Sequence, residues 1–311
     1  MLSNCNYPNE DSYKEIKPFL MVYKKNFSRV LMKIKKIVIT AAGKGTRLLP
    51  LTKEMPKEML PIYVNNKRKT EGILKPILHL IFDSAYEHGI RDFCLIVGKG
   101  KRSIEDHFLI PDQDFGMNKQ MKEFILRIKD SSFTYVQQSS PKGFGDAVLK
   151  AESFVNQENF LVHAGDDAIL SIKNNHLQRL QDAFFRNDAD IALLVTKTKE
   201  PHLYGIIKGK KKKNIIQVTK FEEKPKNQIS GLATVGIYIF KPTIFNVLKK
   251  IKPDKKNEIQ LADAIKTSIE EGANTIAIEL GKDEKRVDVG TPESYTNCMI
   301  ESYKFFKNIK L

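Results

Sequence analysis

Residues Lys36–Arg47 read KIVITAAGKGTR, and KEMLP follows at Lys57–Pro61. The apolar, β-branched start of the first segment predicts a buried strand, and the small residues after it predict a turn. The two glycines of that turn let the backbone approach a ligand closely and point several N–H groups at one anion. The arginine that ends the first segment and the lysine that opens the second add positive charges suited to phosphate oxygens. Together the segments predict an anion-binding strand end.

This motif differs from the two common phosphate-binding loops. The Walker A pattern ends in Gly-Lys-Ser/Thr after four intervening residues, and this chain lacks that ending. The dinucleotide fingerprint has a third glycine three residues after the second, where this chain has Leu48. A Gly-x-Gly turn alone is equally consistent with a simple chain reversal. The flanking Thr-Arg-Leu-Leu-Pro and Pro-Lys-Glu-Met-Leu-Pro favour a ligand site.

Composition excludes several classes of protein. The chain has 311 residues, of which 41% are hydrophobic and 29% charged, which is typical of a globular protein with a substantial core. No apolar run approaches the roughly 20 residues of a membrane span, so no membrane partner is expected. The three cysteines (Cys5, Cys94 and Cys298) are scattered, which favours reduced thiols and a cytoplasmic location.

The formal net charge of +15 raises the alternative of a nucleic-acid partner. Most lysines are dispersed along the chain, and the one run, Lys210–Lys213, lies between two strand-like segments and predicts a solvated hairpin turn. We therefore expect no nucleic-acid partner. A basic surface also suits small polyanionic substrates, because it steers them towards the protein.

Apolar strand-like runs alternate with helical patterns after residue 36. Strands are predicted at 37–40, 93–97, 133–136, 160–164 and 191–195, and helices at 76–88 and about 145–154. This rhythm predicts an α/β fold with a doubly wound, Rossmann-like, mostly parallel mixed sheet and helices on both faces. Shorter strands near 204–208, 215–221 and 232–240 predict antiparallel additions, and helices are predicted at 243–250, at 261–271 and after 291. Ligands of such sheets bind at the carboxyl ends of the strands.

Residues 1–31 show no periodicity, and we interpret them as a mobile extension or as residues before the true start, with Met21 and Met32 as alternative starts. Residues 32–311 are predicted to form a single domain, with a nucleotide-binding part over about 32–170 and a sugar-phosphate part over about 171–300. Residues 65–74 are interpreted as a surface insertion.

Carboxylates follow two strand-like segments. Asp166 and Asp167 come after the predicted strand at 160–164, where they would either bind Mg²⁺ or cap the next turn. Asp288 precedes Gly-Thr-Pro, where Thr291 is the better helix cap because Pro292 then takes the first helical position. The residues alone leave both a structural role and a metal-binding role open for Asp166.

The chain resembles the sugar-1-phosphate nucleotidylyltransferases, and among them the prokaryotic-type UTP–glucose-1-phosphate uridylyltransferases. The resemblance rests on AAGKGTRLLP and PKEMLP and runs from about residue 33 to about residue 300. It implies the fold of the nucleotide-diphospho-sugar transferases and a Mg²⁺ cofactor. The implied metal ligands are Asp166 and Asp288.

The resemblance also implies roles for the substrate-binding residues. Catalytic roles fall on Arg47, Lys57 and Lys224. Nucleotide-binding roles fall on Ala41, Ala42, Gly43, Gly45, Thr46, Glu58, Gln138 and Gly143. Sugar-phosphate-binding roles fall on Gly205, Glu223, Lys224 and Gly236.

The loop after Gln138 departs from the family pattern. Phe144 stands where leucine is usual and Asp146 where histidine or glutamine is usual, which leaves the choice of base open. The implied reaction is Mg²⁺-dependent transfer of UMP from UTP to glucose 1-phosphate, giving UDP-glucose and pyrophosphate. The alternatives are the same chemistry with another nucleotide or sugar 1-phosphate, such as dTTP, and a non-catalytic binding or regulatory member of the fold. A homo-oligomer, dimer or tetramer, is expected.

Overall fold

The computed structural model describes residues 33–65, 72–111 and 118–307. The described residues from Ile34 onward group into one compact unit. The predicted extension over residues 1–31 lies outside the described residues, as do 66–71 of the predicted insertion. The described flanks of that insertion form a β-hairpin, in which Pro61–Asn65 pairs antiparallel with Gly72–Pro76.

The described residues form thirteen strands and nine α-helices. The strands are β1 Lys36–Ala41, β2 Pro61–Asn65, β3 Gly72–Pro76, β4 Asp92–Val97, β5 Ser132–Gln137, β6 Phe160–Ala164, β7 Asp167–Ser171, β8 Ile191–Thr198, β9 Gly205–Lys212, β10 Ile215–Glu223, β11 Gly231–Phe240, β12 Thr275–Glu279 and β13 Glu284–Asp288. The helices are α1 Ile77–Glu87, α2 Arg102–His107, α3 Lys119–Lys129, α4 Phe144–Leu149, α5 Glu152–Val155, α6 His176–Arg186, α7 Ile244–Leu248, α8 Leu261–Glu270 and α9 Pro292–Lys307.

Nine of these strands form one mixed sheet in the order β5-β4-β1-β6-β11-β8-β12-β10-β9. The run β5-β4-β1-β6 and the pair β8-β12 are parallel, and the other neighbours are antiparallel. The parallel part is therefore smaller than predicted, because β11 inserts antiparallel between β6 and β8. Two further sheets have two strands each, β7 with β13 and β2 with β3.

Hydrophobic cores cover both faces of the large sheet. Ile37 and Ile39 of β1 join a core that includes residues of α1, α3 and α6, whereas Val38 joins a core that includes residues of α4, α7 and α8. This alternation follows from the two-residue period of a strand. The sheet is thereby fixed from both sides, and its strand ends hold the loops that follow them.

Two predicted elements differ in extent from the observed ones. The helix predicted near 145–154 divides into α4 and α5, because the amide of Ala151 bonds to the carbonyl of Val148 and interrupts the α-helical pattern. Lys210–Lys212 were predicted to lie in a turn, but they belong to β9 and pair with β10 as far as Lys212, which is opposite Ile215. Strand pairing uses backbone hydrogen bonds, so it can continue through residues with polar side chains. Among the described helices, none has both the length and the apolar character needed to cross a membrane.

Candidate active site

A cavity of about 320 Å³ lies beyond the carboxyl ends of β1 and β4. Its wall includes five of the residues predicted to bind the nucleotide or its phosphates: Ala42, Gly43, Gly45, Lys57 and Gln138. The loop Gly98–Lys101 after β4 forms another part of the wall. The structure therefore brings the predicted cradle and the predicted base-reading glutamine into one cavity.

The other predicted nucleotide residues lie around this cavity rather than in its wall. Ala41 is buried at the end of β1, and Thr46 and Arg47 are exposed in a 3₁₀ turn over Thr46–Leu48. Gly143 lies behind Gln138, at the start of α4. Glu58 is only 1% exposed and lies beneath the wall.

The cradle requires glycine at one position. Gly45 has φ of 65°, in the left-handed region, and a Cβ there would lie 3.1 Å from Cβ of Thr52. The Thr52 hydroxyl donates a hydrogen bond of 2.7 Å to the carbonyl oxygen of Gly45. The turn is thus held in the shape that opens its backbone towards the cavity.

Lys57 connects the cradle to the carboxylate after β6. Its ammonium group donates a hydrogen bond to Oδ2 of Asp166. Burial disfavours the ammonium form, but Asp166 outweighs burial and raises the pKa of Lys57. Burial likewise opposes ionisation of Asp166, yet Lys57 lowers the pKa of this carboxyl below its usual range. The two groups form an ion pair at the edge of the cavity.

The second predicted carboxylate lies on the strand paired with β7. Asp288 is opposite Asp167 in the β7–β13 register, and the amide of Val289 donates to the carbonyl of Asp166 at 3.2 Å. Thr291 caps α9, because its hydroxyl accepts a hydrogen bond of 3.1 Å from the amide of Ser294. Asp288 is therefore not the helix cap, and its backbone neighbours that of Asp166.

Arg286 organises these carboxylates. Its guanidinium donates to both oxygens of Asp167, at 2.7 and 3.0 Å, and its Nη2 lies 3.6 Å from Oδ2 of Asp288. The same guanidinium lies over the ring of Tyr204, 4.5 Å from the ring centre. Burial raises the pKa of Asp167 to about 6 although Arg286 opposes the shift. The sequence did not point to Arg286, because a single charged residue within a strand is common and gives no sign of its partners.

The chemistry of these carboxylates fits magnesium. Mg²⁺ is usually held by one or two carboxylates together with phosphate oxygens and water. Within the described residues, no group of three or more His, Cys, Asp or Glu side chains is arranged to hold a metal. An ion at Asp166 and Asp288 would therefore take its remaining ligands from substrate and water.

Of the predicted sugar-phosphate residues, Gly236 lies against Asp167, whereas Gly205, Glu223 and Lys224 neighbour one another. A Cβ on Gly236, which has φ of 69°, would lie 2.7 Å from Oδ2 of Asp167. Gly205 pairs with Glu223 across β9 and β10, and burial raises the pKa of Glu223. Nζ of Lys224 lies 3.4 Å from Oε1 of Glu223. A second cavity of about 270 Å³ adjoins this region, with Tyr204, Arg286 and Asp288 in its wall.

The Gln138 side chain is 3% exposed and makes two hydrogen bonds. Its Nε2 donates to Oδ2 of Asp146 at 2.7 Å and to the carbonyl of Gly143 at 3.2 Å. Asp146, one of the two residues that depart from the family pattern, therefore contacts the predicted base-reading residue. The sequence alone gives no sign that a glutamine after β5 contacts an aspartate in the first turn of α4.

Lys101 is a further wall residue that sequence reasoning did not single out. Its ammonium group donates to both oxygens of Glu58, at 2.8 and 2.9 Å. The carboxylate that was predicted to bind the nucleotide is thus occupied by a lysine from the loop after β4. The only sequence signal was the basic segment Gly98–Arg102.

Comparisons with known proteins agree on one family. The nucleotidyl transferase family model matches residues 36–303. The UTP–glucose-1-phosphate uridylyltransferase of Streptococcus pneumoniae serotype 4 is 38% identical over 252 residues, which cover 76% of this chain and 80% of that protein. UTP–glucose-1-phosphate uridylyltransferase 2 of Streptococcus pyogenes serotype M3 is 39% identical over 254 residues, with the same coverage of 76% and 80%.

A solved structure gives the same result for the fold. UDP-glucose pyrophosphorylase, crystallised with UDP-glucose, superposes with a TM-score of 0.76 and 32% identity, over 87% of this chain and 99% of that one. The fold is therefore the mixed α/β fold of the nucleotidyltransferases, and the resemblance drawn from the sequence motifs is confirmed. The chain belongs to the nucleotidyl transferase family and, within it, to the UTP–glucose-1-phosphate uridylyltransferases.

Proposed function

We propose that this enzyme transfers UMP from UTP to glucose 1-phosphate, giving UDP-glucose and pyrophosphate. The observation that carries the proposal is the hydrogen bond between Lys57 and Asp166. It joins the anion cradle to the two carboxylates predicted to bind the metal, Asp166 and Asp288. The relatives named for this reaction and the structural relative crystallised with UDP-glucose support the choice of substrates.

The transfer requires two anionic substrates to meet in line. The backbone amides of Gly43 and Gly45, with Arg47 and Lys57, would hold the triphosphate and stabilise the pyrophosphate as it leaves. Lys224 would hold the phosphate of glucose 1-phosphate, one of whose oxygens attacks the α-phosphorus. Since the phosphates supply the reacting atoms, the protein contributes positioning and charge rather than a nucleophile.

Other residues would fix the two ends of the substrates. Ala41, Ala42 and Thr46 surround the nucleotide, and Gln138 and Gly143 read the base. The carboxylate of Glu223 accepts hydrogen bonds from sugar hydroxyls, while Gly205 and Gly236 keep the backbone close to the sugar. Glu58 acts on the nucleotide through Lys101, because both of its oxygens are already engaged. Magnesium, held by Asp166 and Asp288, would neutralise charge between the two phosphates.

Several broader features belong to the same proposal. The helices on both faces of the sheet support a doubly wound, Rossmann-like description. Cys94 and Cys298 are buried thiols, in keeping with the cytoplasm. We also propose that the protein forms a homo-oligomer. Its binding partners would be the small-molecule substrates, and neither nucleic acid nor a membrane.

A pyrophosphate-release assay tests the proposal. Purified protein is supplied with UTP, dTTP, CTP or ATP, each paired with glucose 1-phosphate or another sugar 1-phosphate, with and without Mg²⁺. We expect turnover with UTP, glucose 1-phosphate and Mg²⁺. A preference for dTTP would instead indicate a thymidylyl enzyme, and turnover with none of the pairs would indicate a non-catalytic member.

The variant Asp166→Asn tests the site itself. We expect a loss of at least about 100-fold in kcat, the scale of losing a charge-stabilising group. The melting temperature should fall only slightly, because the Lys57 and Asp166 side chains are 18% and 30% exposed and water can solvate the ammonium group left behind. Asp106→Asn is the matched control, since this carboxylate is exposed and, within the described residues, its ion-pair partner is the exposed Arg102. Near-normal turnover by Asp166→Asn would contradict the assignment.

A further inference from the structure

The amide of Gln138 is oriented by its two partners. Oδ2 of Asp146 and the carbonyl oxygen of Gly143 both accept hydrogen bonds, at 2.7 and 3.2 Å from Nε2. A carboxylate and a backbone carbonyl have no hydrogen to donate, so only the NH₂ end of the amide can face them. The two ends of a glutamine amide have nearly the same shape, but here the chemistry of its partners decides between them.

The carbonyl end of the same amide is consequently left for a ligand. Gln138 belongs to the wall of the nucleotide cavity, and among the described residues no donor contacts its Oε1. Once a ligand covers it, such an acceptor gains from a group that brings a donor and is penalised by one that brings a second acceptor. An acceptor in this position would distinguish bases by the hydrogen-bonding character of one ring edge.

We propose that Asp146 is a positioning residue that sets the base selectivity of this enzyme. By holding Nε2 of Gln138, it leaves Oε1 facing the base. This acceptor favours uracil, whose N3–H is a donor, and disfavours cytosine, whose N3 is an acceptor. Thymine has the same N3–H, so Asp146 discriminates UTP from CTP and is indifferent between UTP and dTTP. This inference rests on the proposed function, because it assumes that the cavity receives a pyrimidine nucleotide.

The surroundings of Asp146 make it a rigid support. It lies in the first turn of α4, and the amide of Gly145 beside it donates to the carbonyl of Ile259 at 2.8 Å. The amide of Ile259 in turn donates to the carbonyl of Lys142 at 2.7 Å. The backbone beside Asp146 is thus bonded to the segment before α8, which holds the start of α4 in place.

The test compares UTP, CTP and dTTP as substrates of the full chain and of Asp146→Asn. Asparagine at this position can donate as well as accept, so only the longer contact to the Gly143 carbonyl, at 3.2 Å, still opposes reversal of the Gln138 amide. The reversed amide, which offers Nε2 to cytosine, therefore becomes accessible. We expect the ratio of kcat/KM for UTP over CTP to fall about 10-fold, the scale of one mismatched buried hydrogen bond, with the UTP-to-dTTP ratio unchanged. Asp146→Glu, which keeps an acceptor-only side chain, should restore most of the UTP preference.

Asp106→Asn is the control for loss of a carboxylate elsewhere on the surface, and its ratios should match those of the unaltered enzyme. Should Asp146→Asn melt early, Gln138→Met replaces it, since this variant removes the amide altogether and should bring the UTP-to-CTP ratio close to one. An unchanged ratio in these variants, or equal use of CTP and UTP by the unaltered enzyme, would overturn the inference.

Calorimetric titration of UTP and CTP separates this inference from the proposed function. If the unaltered protein turns over UTP but Asp146→Asn keeps its selectivity, only the role of Asp146 is wrong. If no nucleotide is turned over, the proposed reaction is wrong, and the ratio of the two dissociation constants still tests Asp146. If the ratio of the Kd for CTP to the Kd for UTP is about 10-fold lower in Asp146→Asn than in the unaltered protein, the inference is supported. An equal ratio in the two proteins contradicts the inference.

Discussion

Lys101 donates to both carboxylate oxygens of Glu58, and the two side chains are 9% and 1% exposed. Burial raises the pKa of Glu58 and lowers that of Lys101, so each charge depends on the other for its compensation. The pair connects the turn that carries Lys57 to the loop after β4. The wall of the cavity beyond β1 and β4 is therefore held together by a charge pair.

Replacing Lys101 by methionine should destabilise the fold. Glu58 would remain buried without a partner, which typically costs about 3–5 kcal/mol in the free energy of unfolding. The double variant Lys101→Met/Glu58→Gln should recover part of that loss, because no uncompensated charge remains. Urea denaturation of the four proteins of this cycle measures the effect.

Arg102→Met is the control for Lys101→Met. Arg102 is the next residue, but its ion pair with Asp106 is exposed, so its loss should cost no more than about 1 kcal/mol. Similar losses in the free energy of unfolding for Lys101→Met and Arg102→Met would contradict the prediction, because they would show that burial does not strengthen the contribution of the Lys101–Glu58 pair to stability.

Gly143→Ala should be more harmful than Gly100→Ala, although both glycines have positive φ. A Cβ on Gly143, at φ of 96°, would lie 2.5 Å from the carbonyl oxygen of Ile259, whereas one on Gly100, at φ of 81°, would meet no atom within 4 Å. Gly100→Ala should cost about 1–3 kcal/mol of backbone strain. Gly143→Ala adds a clash with backbone, and it should also raise the KM for UTP because it displaces the partners of Gln138.

Thermal and urea denaturation of both glycine variants, with KM measured for each, checks this prediction. Equal stability losses and an unchanged KM in Gly143→Ala would contradict it.

His163 should make stability depend on pH below neutrality. Burial lowers its pKa to about 4, from an ordinary value of 6.5. Between these values the unfolded chain binds a proton that the folded chain does not, so stability falls as the pH falls. The contribution is about 1.4 kcal/mol per pH unit over this window. The variant His163→Gln should show a shallower loss between pH 6.5 and 4.

Urea denaturation at several pH values provides the comparison. His202→Gln, which alters an exposed histidine, should keep the slope of the unaltered protein. A His163→Gln slope equal to that of the unaltered protein would exclude this role for His163.

Local patterns predicted much of the fold. The apolar runs of β1, β4 and β6 are bounded by glycines or turns. The helix α1 ends at Glu87, and Gly89, with positive φ, follows its C-cap residue His88, in agreement with the predicted helix stop. The cap at Thr291 is confirmed by its hydrogen bond to Ser294. Each of these features is determined by residues within a few positions of one another.

Long-range pairs could not be predicted in this way. The strands β7 and β13 are short and far apart in the chain, and neither has a periodicity that identifies its partner. The burial of Lys101 depends on Glu58 and the hold of Asp146 on Gln138, and in both cases a polar residue in a loop gives no sign of its partner. A single sequence shows which side chains are available, whereas the packing decides which of them meet.

The pairing of β7 with β13 also sets the order in which a growing chain can become an enzyme. Asp166 and the cradle leave the ribosome well before Asp288, which arrives only with the strand that precedes the last helix. A nascent or truncated chain that stops after α8 contains every residue of the cradle but lacks the second carboxylate and Arg286. Completion of the site therefore waits until β13 has been made and has paired with β7.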